Sequence, residues 1–177
     1  MERAASGDER AFATLVDRHL GPILALARRM LGDDAEAEDV AQETLIRLWN
    51  HASRFDRKRA RLSTWLYRIT SNLCIDRLRG RKVQPLDDVP EIKTDPEQDR
   101  SVHERQLSQR MDIALGGLPE RQRLALTLFH YQELSMKEAA DIMDISVEAL
   151  ESLLARARRS VKRELEPEWK ALLPDNG

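Results

Sequence analysis

The sequence between Arg54 and Lys82 contains ten arginine and lysine residues and only two carboxylates. Phe55, Trp65 and Tyr67 are interleaved with these cations. Basic side chains attract phosphate groups, and aromatic rings can stack on unpaired bases. The segment therefore predicts contact with nucleic acid, including single-stranded nucleic acid. Packing of Trp65 or Tyr67 in the protein core is the alternative use of these rings.

The stretch just before this basic segment, residues 33–43, has the opposite character, with six acids and no base. Acidic side chains are favourable in the first turns of a helix, so a solvated helix face is one interpretation. The other interpretation is a docking face for a basic or polar protein surface. The pairing of an acidic and a basic segment favours two different binding faces in the first half of the chain.

A second candidate nucleic-acid-binding feature is the segment 134–165. Ser135 and Glu138 form a capping box for a short helix, Met136–Met143, and Ser146 caps a longer helix after a three-residue turn. The longer helix ends in a run of basic residues. This pattern is typical of a DNA-binding helix-turn-helix. An ordinary helical hairpin is the alternative, because helix C-termini favour cations.

The composition excludes several classes of protein. The 177 residues carry a net charge of −2, and no apolar run approaches the roughly 20 residues that span a bilayer. We therefore expect a cytoplasmic protein without membrane insertion. The single cysteine, Cys74, is expected to be a small buried residue, and no Cys/His cluster has zinc spacing. Neither a glycine-rich phosphate loop nor a nucleophile with a matching base is present, so we expect no cofactor, no metal, no catalytic residue and no enzyme.

Helical periodicity and capping signals predict an all-α protein with two small helical domains. In residues 1–82 we expect four helices. The first begins at a capping box formed by Ser6 and Glu9, and the Gly21-Pro22 pair ends it and starts the second, which Gly32 terminates.

The third and fourth predicted helices complete the first domain. Asp33 or Asp34 caps the third helix, whereas Ser63 or Thr64 caps the fourth, which ends near Gly80.

Residues 83–98 have the composition of an acidic, flexible linker. The stretch 83–104 holds seven acids against two bases, and prolines interrupt it. The second domain, residues 99–173, begins with a helix that Gly116-Gly117 stops. Pro119 starts another helix, and the helix-turn-helix follows.

Three motifs in order, DAEAEDVAQETLIRLW, TWLYRITSNLCIDRLRGRK and LPERQRLALTLFHYQELSMKEAADIMDISVEALESLLARARRSVK, resemble a bacterial sigma-70 family RNA polymerase sigma factor. More narrowly, they resemble the extracytoplasmic-function (ECF, group IV) type, which keeps only conserved regions 2 and 4. The resemblance spans about residues 8–165. It implies a non-enzymatic protein that binds core RNA polymerase, directs it to specific promoters and promotes DNA opening.

The resemblance also implies residue roles in the first domain. The acidic helix matches the part that docks on the clamp helices of the largest polymerase subunit. The implied docking residues are Asp39, Gln42, Glu43 and Trp49. The loop 55–62 matches the part that captures a base flipped from the −10 element, and the next helix matches the part that contacts the upstream edge of that element. The implied −10 contacts are Phe55, Arg59, Arg61, Trp65, Asn72, Asp76, Arg77, Arg79 and Arg81.

The helix-turn-helix matches the module that reads the −35 element in the major groove. The second domain is also expected on the flap of the second-largest subunit, with the linker threading through the polymerase channel. An anti-sigma factor is a further implied partner. The implied −35 contacts are Ser146, Val147, Glu148, Glu151, Ser152, Ala155, Arg156, Arg158 and Arg159.

The second helix of this module departs from the family pattern at Glu151, where many relatives carry Arg or Lys. A carboxylate near phosphate is repelled, but one facing a base edge can accept a hydrogen bond from cytosine. We therefore expect Glu148 or Glu151 to read sequence while the arginines hold the backbone. The plainer alternative is that one glutamate faces solvent.

The competing functional class is a conventional helix-turn-helix regulator that binds an operator without polymerase docking. It leaves the acidic and basic segments of the first domain unexplained.

Overall fold

Two groups of helices, one on each side of the segment 84–109, make up the part of the protein described by the structure. The structure is a computed structural model, and it describes residues 1–55, 61–83 and 110–172. The first unit, residues 1–83, contains α1 (Glu2–Ala5), α2 (Glu9–Leu31), α3 (Asp34–His51), a 3-10 turn (Ala52–Arg54) and α4 (Leu62–Val83).

The second unit, residues 110–172, contains α5 (110–116), α6 (Glu120–Leu126), a π-helical turn (Thr127–Tyr131), α7 (Met136–Met143) and α8 (Val147–Leu172). The described residues contain helices and no strand, so the all-α prediction is confirmed. Most of the predicted linker 83–98 and the candidate residue Arg59 lie outside the described residues.

Helix α2 runs without a break through Gly21 and Pro22, so the prediction of two helices here is wrong. A proline inside a helix removes one backbone hydrogen bond and costs about 3 kcal/mol. Leu15 on one side of the proline and Ile23 and Leu26 on the other are all buried, which fixes both halves of the helix to the same core. This burial outweighs the local preference for a break.

The start of α2 also differs from the prediction. Asp8 is the N-cap, and its carboxylate accepts a hydrogen bond from the backbone N–H of Ala11 at 3.0 Å. The Ser6 hydroxyl instead donates to the carbonyl oxygen of Arg3 at 2.8 Å. The first unit therefore has three long helices and a short α1: α2 takes the place of the first two of the four predicted helices, and α1 was not predicted.

The ends of α4 were also predicted wrongly. The helix begins at Leu62, so Ser63 and Thr64 lie inside it, and it continues past Gly80 to Val83. Other boundary signals are confirmed: Gly32 ends α2 in the left-handed conformation at φ 65°, and the Asp33 carboxylate caps α3.

The helix-turn-helix forms as the sequence predicts. Both hydrogen bonds of the capping box between Ser135 and Glu138 are present, and α7 has the expected bounds. Asp144 turns the chain in the left-handed conformation at φ 55°. The Ser146 hydroxyl then accepts a hydrogen bond from the Ala149 N–H at 3.2 Å and caps α8.

One hydrophobic core joins the two units. Leu26 and Met30 of α2 lie in the same buried cluster as Leu124, Leu128 and Leu150 of the second unit. Cys74 is fully buried in this cluster, and burial raises the pKa of its thiol to about 12. Cys74 is therefore the small buried residue that the sequence predicted.

Candidate functional site

The exposed face of α3 carries the four residues predicted to dock on polymerase. Asp39, Gln42, Glu43 and Trp49 recur at helical spacing, so they lie on one side of the helix. Ile46 lies between them with 48% of its surface exposed, and Trp49 is 41% exposed. Ile46 was not among the residues predicted to dock, although its position four residues after Gln42 places an exposed apolar side chain on this face.

Neighbouring groups hold the side chains of this α3 face in place. The Trp49 ring packs edge-on against Phe12 of α2, with ring centroids 4.7 Å apart. The Glu43 carboxylate pairs with Arg47 at 2.8 Å, one turn further along α3. The face therefore presents an apolar centre, Ile46 and Trp49, beside carboxylates, which is the composition of a protein-docking surface.

Two aromatic residues predicted to meet the −10 element are neighbours. The rings of Phe55 and Trp65 lie 5.7 Å apart at an angle of 58°. Both residues are partly buried, and Trp65 also packs on the smaller core cluster of the first unit. Tyr67 is buried, its hydroxyl donates to Oε1 of Gln132 at 2.8 Å, and burial raises the pKa of its hydroxyl.

The candidate −10 residues of α4 divide into two sets. Asn72, Asp76 and Arg79 are exposed and recur at i, i+4 and i+7, so they form one row along the helix. Arg77 and Arg81 are partly buried and are directed at the acidic start of α3. The Arg77 guanidinium lies 3.6 Å from the Asp39 carboxylate of α3. One turn further along α4, Arg81 lies close to the end of α2.

Arg81 links three helices of the first unit. Its guanidinium pairs with Glu36 of α3 at 2.7 Å and donates to the carbonyl oxygen of Leu31 at 3.0 Å. That carbonyl is at the C-terminal end of α2, where an unpaired carbonyl favours a cation. In this structure the Arg81 guanidinium is therefore engaged in contacts within the first unit and does not extend freely into solvent.

The predicted −35 reader, α8, presents a continuous exposed stripe. Helical periodicity places Glu148, Glu151, Ser152, Ala155 and Arg159 on the same side, and all five are exposed. Ser146 is the cap of this helix, and Val147 packs partly against the core.

The other two arginines, Arg156 and Arg158, are exposed on the two flanks of this stripe. Arg158 donates a hydrogen bond to Nε2 of His130 at 3.1 Å. A hydrogen bond with its own backbone N–H and one with the Ser146 hydroxyl lower the pKa of Glu148, which keeps this carboxyl ionised as a hydrogen-bond acceptor.

Within residues 1–55, 61–83 and 110–172, no group of three or more His, Cys, Asp and Glu side chains is placed to hold a metal ion. Over the same ranges, none of the helices has the length and apolar content needed to cross a membrane.

A helix-turn-helix with an exposed stripe, packed on a unit that carries an acidic-apolar face and a row of polar side chains, is typical of an all-α DNA-binding protein. Comparison with known proteins identifies the family within this class. Residues 15–83 match the Sigma-70 region 2 family and residues 108–161 match the Sigma-70, region 4 family. The ECF RNA polymerase sigma factor SigW of Bacillus subtilis is 34% identical, over 93% of this chain and 94% of SigW.

Solved structures give the same result. CnrH in complex with the cytosolic domain of CnrY has a TM-score of 0.70 and 31% identity, and the match covers 94% of each chain. The sigma factor RpoE of Bartonella quintana, in complex with the anti-sigma factor NepR, has a TM-score of 0.74 and 27% identity, with 89% of this chain and 98% of the other covered. The chain belongs to the sigma-70 family of RNA polymerase sigma factors, in its ECF group. It is an RNA polymerase-binding, promoter-specific sigma factor, and a conventional helix-turn-helix regulator is not favoured.

Proposed function

We propose that this sigma factor docks on core polymerase through α3, reads the −10 element with the 55–65 region and α4, reads the −35 element with α8, and promotes opening of the duplex. The observation that carries the proposal is that three surfaces of different chemistry occupy three different helices. The acidic-apolar face is on α3, the row of polar side chains is on α4, and the stripe flanked by arginines is on α8.

The α3 face is suited to the clamp helices of the largest polymerase subunit. Ile46 and Trp49 supply apolar surface that loses water on docking, and aromatic side chains near the centre of an interface often carry much of the binding energy. Asp39, Gln42 and Glu43 surround this centre with acceptors for a basic or polar partner. Carboxylates at the rim mainly increase the association rate and the specificity.

The Phe55–Trp65 pair is suited to an unstacked base at the −10 element. Flipping a base out of the duplex costs a few kcal/mol, which aromatic stacking and contacts to the base edge must offset. Asn72, Asp76 and Arg79 would meet the upstream edge of the element. Arg59 and Arg61 belong to the same proposed contact set as cations for the backbone.

The geometry of α8 supports different roles for its glutamates and its arginines at the −35 element. Glu148 and Glu151 lie on the stripe that would face base edges, where a carboxylate can accept from the N4 amino group of cytosine. Arg156 and Arg158 lie on either side, where the two phosphate backbones bordering a major groove would be. Phosphate contacts then position the helix and the glutamates select the sequence.

The domain assignment is 1–82 for the region 2 domain, 83–98 for the linker and 99–173 for the region 4 domain, which we also propose to meet the flap of the second-largest subunit. An anti-sigma factor is a further proposed partner, because CnrH and RpoE were solved with such proteins or domains. We assign no catalytic residue and no cofactor to the chain.

The experiment is in-vitro transcription with purified bacterial core polymerase, this protein and a pool of randomised promoters. Discrete start sites that need the added protein support the proposal, and the enriched sequences give the −10 and −35 preferences. Glu151→Arg should change the preferred upstream sequence and leave the −10 preference unchanged. Glu164→Arg is the matched control, because Glu164 is exposed on the opposite side of the same helix.

Docking is tested separately with Ile46→Asp. We expect this variant to lose affinity for core polymerase and for a fragment that carries the clamp helices. Ile113→Asp makes the same change at an exposed isoleucine of α5 and should bind the fragment normally. Unchanged binding of Ile46→Asp would contradict docking through the α3 face.

A further inference from the structure

Two aromatic side chains hold the arginine on one flank of the α8 stripe. The Nη2 group of Arg158 donates a hydrogen bond to Nε2 of His130 at 3.1 Å. The guanidinium carbon of Arg158 also lies 5.9 Å from the centre of the Phe129 ring, within the range of a cation–π attraction. The Phe129 and His130 rings meet edge to face, with their centroids 5.0 Å apart. The three side chains therefore form one cluster beside the proposed DNA-reading surface.

The π-helical turn between α6 and α7 supplies both rings of this cluster. The backbone N–H of Gln132 donates to the carbonyl oxygen of Thr127, five residues earlier, at 3.0 Å. Turns of this kind are rare and frequently occur at functional sites. Leu128 is fully buried in the shared core, and Phe129 packs against that core. The turn is therefore a fixed support from which the two rings reach α8.

The chemistry of the Arg158–His130 hydrogen bond fixes the state of the imidazole. An arginine side chain has only donors, so Nε2 is the acceptor and the ring proton lies on Nδ1. A protonated imidazole has two donors and could not accept this bond. Burial first, and then the charge of Arg158, lowers the pKa of His130 below its usual 6.5, which favours the neutral ring at pH 7.5.

The contact with His130 leaves most of the Arg158 guanidinium available. A guanidinium carries five N–H donors in a planar fork, and the bond to Nε2 uses one of them. Arg158 is exposed, so its remaining donors can reach a phosphate and bind it through two parallel hydrogen bonds. The same arginine can therefore contact the π-helical turn and DNA at once.

We propose that His130 is a positioning residue for promoter recognition: its ring holds the Arg158 guanidinium in the orientation that meets a phosphate of the −35 element. The inference rests on the proposed role of Arg158 at that element and deepens it. A long side chain that is already ordered loses less conformational entropy when DNA binds. For one arginine this saving corresponds to about a two- to tenfold gain in affinity.

Two amide substitutions at position 130 separate positioning from general polarity. His130→Gln places an amide oxygen about as far from the backbone as Nε2, so it can still accept from Arg158. His130→Asn is one methylene shorter and places its amide near the position of Nδ1, where it does not reach the guanidinium. His130 is exposed, so we expect both proteins to fold normally.

The assay is the affinity of the holoenzyme, formed from core polymerase and the full-length protein, for a promoter selected from the randomised pool. It is measured at pH 7.5 over a series of salt concentrations. His130→Asn should weaken promoter binding by about two- to tenfold, whereas His130→Gln should bind like the wild type. Equal weakening by His130→Gln would contradict the role of the acceptor.

The salt dependence separates positioning from loss of a phosphate contact. Arg158→Ala should weaken binding and also reduce the slope of log affinity against log salt concentration by about 0.9, because one phosphate contact is lost. His130→Asn should keep the wild-type slope, because the charge of Arg158 is still present. A slope reduced as much as in Arg158→Ala would overturn the inference.

The double variant His130→Asn/Arg158→Ala tests whether the histidine acts through the arginine. We expect no loss of affinity beyond that of Arg158→Ala. A further loss as large as that of His130→Asn alone would overturn the inference and show that His130 acts on DNA by itself. If Arg158→Ala changes neither affinity nor slope, the proposed −35 role of Arg158 fails, and the inference fails with it. If Arg158→Ala weakens binding while His130→Asn binds like the wild type, the positioning role alone is refuted.

Discussion

Replacement of Arg123 by methionine tests how a buried guanidinium joins the two units. Arg123 is 8% exposed, and its guanidinium donates to the carbonyl oxygens of Met30, Gly116 and Leu118. Methionine fills similar space but leaves these three carbonyls, of which those of Met30 and Leu118 are buried, without their donor. Each unsatisfied buried group costs about 1–3 kcal/mol, and removal of a buried charge offsets part of this, so we expect Arg123→Met to lower the free energy of unfolding by about 2–4 kcal/mol.

The assay is thermal unfolding followed by circular dichroism at a helix wavelength. For a chain of this length each kcal/mol moves the melting temperature by about 2–4 °C, so a fall of about 4–16 °C is expected. Arg121→Met is the matched control, because Arg121 is exposed two residues earlier on the same helix and its replacement should change stability by less than about 0.5 kcal/mol. If both variants melt within 1–2 °C of the wild type (~0.5 kcal/mol), the guanidinium does not stabilise the contact between the units.

Three further predictions concern pH, thiol chemistry and backbone strain. Burial first, and then the charge of Arg158, lowers the pKa of His130 below its usual 6.5, so the unfolded chain binds more protons at this residue and stability should fall as the pH drops below about 6.5. In urea unfolding, the free energy of unfolding should change less between pH 7.5 and pH 5.5 for His130→Gln than for the wild type. An equal change in both proteins would show that His130 does not cause the loss of stability. Burial raises the pKa of Cys74 to about 12, so its thiolate is scarce at pH 8. A thiol reagent should therefore label the protein quickly only in denaturant, and fast labelling of the native protein would contradict the burial of Cys74. Glu133 adopts φ 51°, so Glu133→Gly should raise the free energy of unfolding by about 0.5–1 kcal/mol in the same urea assay. A lower free energy of unfolding would contradict relief of backbone strain at this position.

Features that depend on a few neighbouring residues could be predicted from the sequence. Ser135 with Glu138, Asp33 and Gly32 mark helix ends because the cap hydrogen bonds and the left-handed turn form within one turn of the chain. The exposed stripe on α8 follows in the same way from helical spacing. Local signals were wrong at Gly21-Pro22 and at Ser6, where the burial of α2 and the competing Asp8 cap decided the outcome.

The sequence by itself determined the helical class, the helix-turn-helix and the order of the charged and aromatic segments, because helix periodicity, capping and charge are properties of residues close together in the chain. Only the tertiary structure decided that Ile46 is exposed at the centre of the α3 face and that Arg81 holds the end of α2. It also decided that Arg68 meets Asp144 and that Arg123 reaches Met30. The last two contacts join residues more than 70 positions apart, and their partners are selected by the packing of the shared core, which no local pattern specifies.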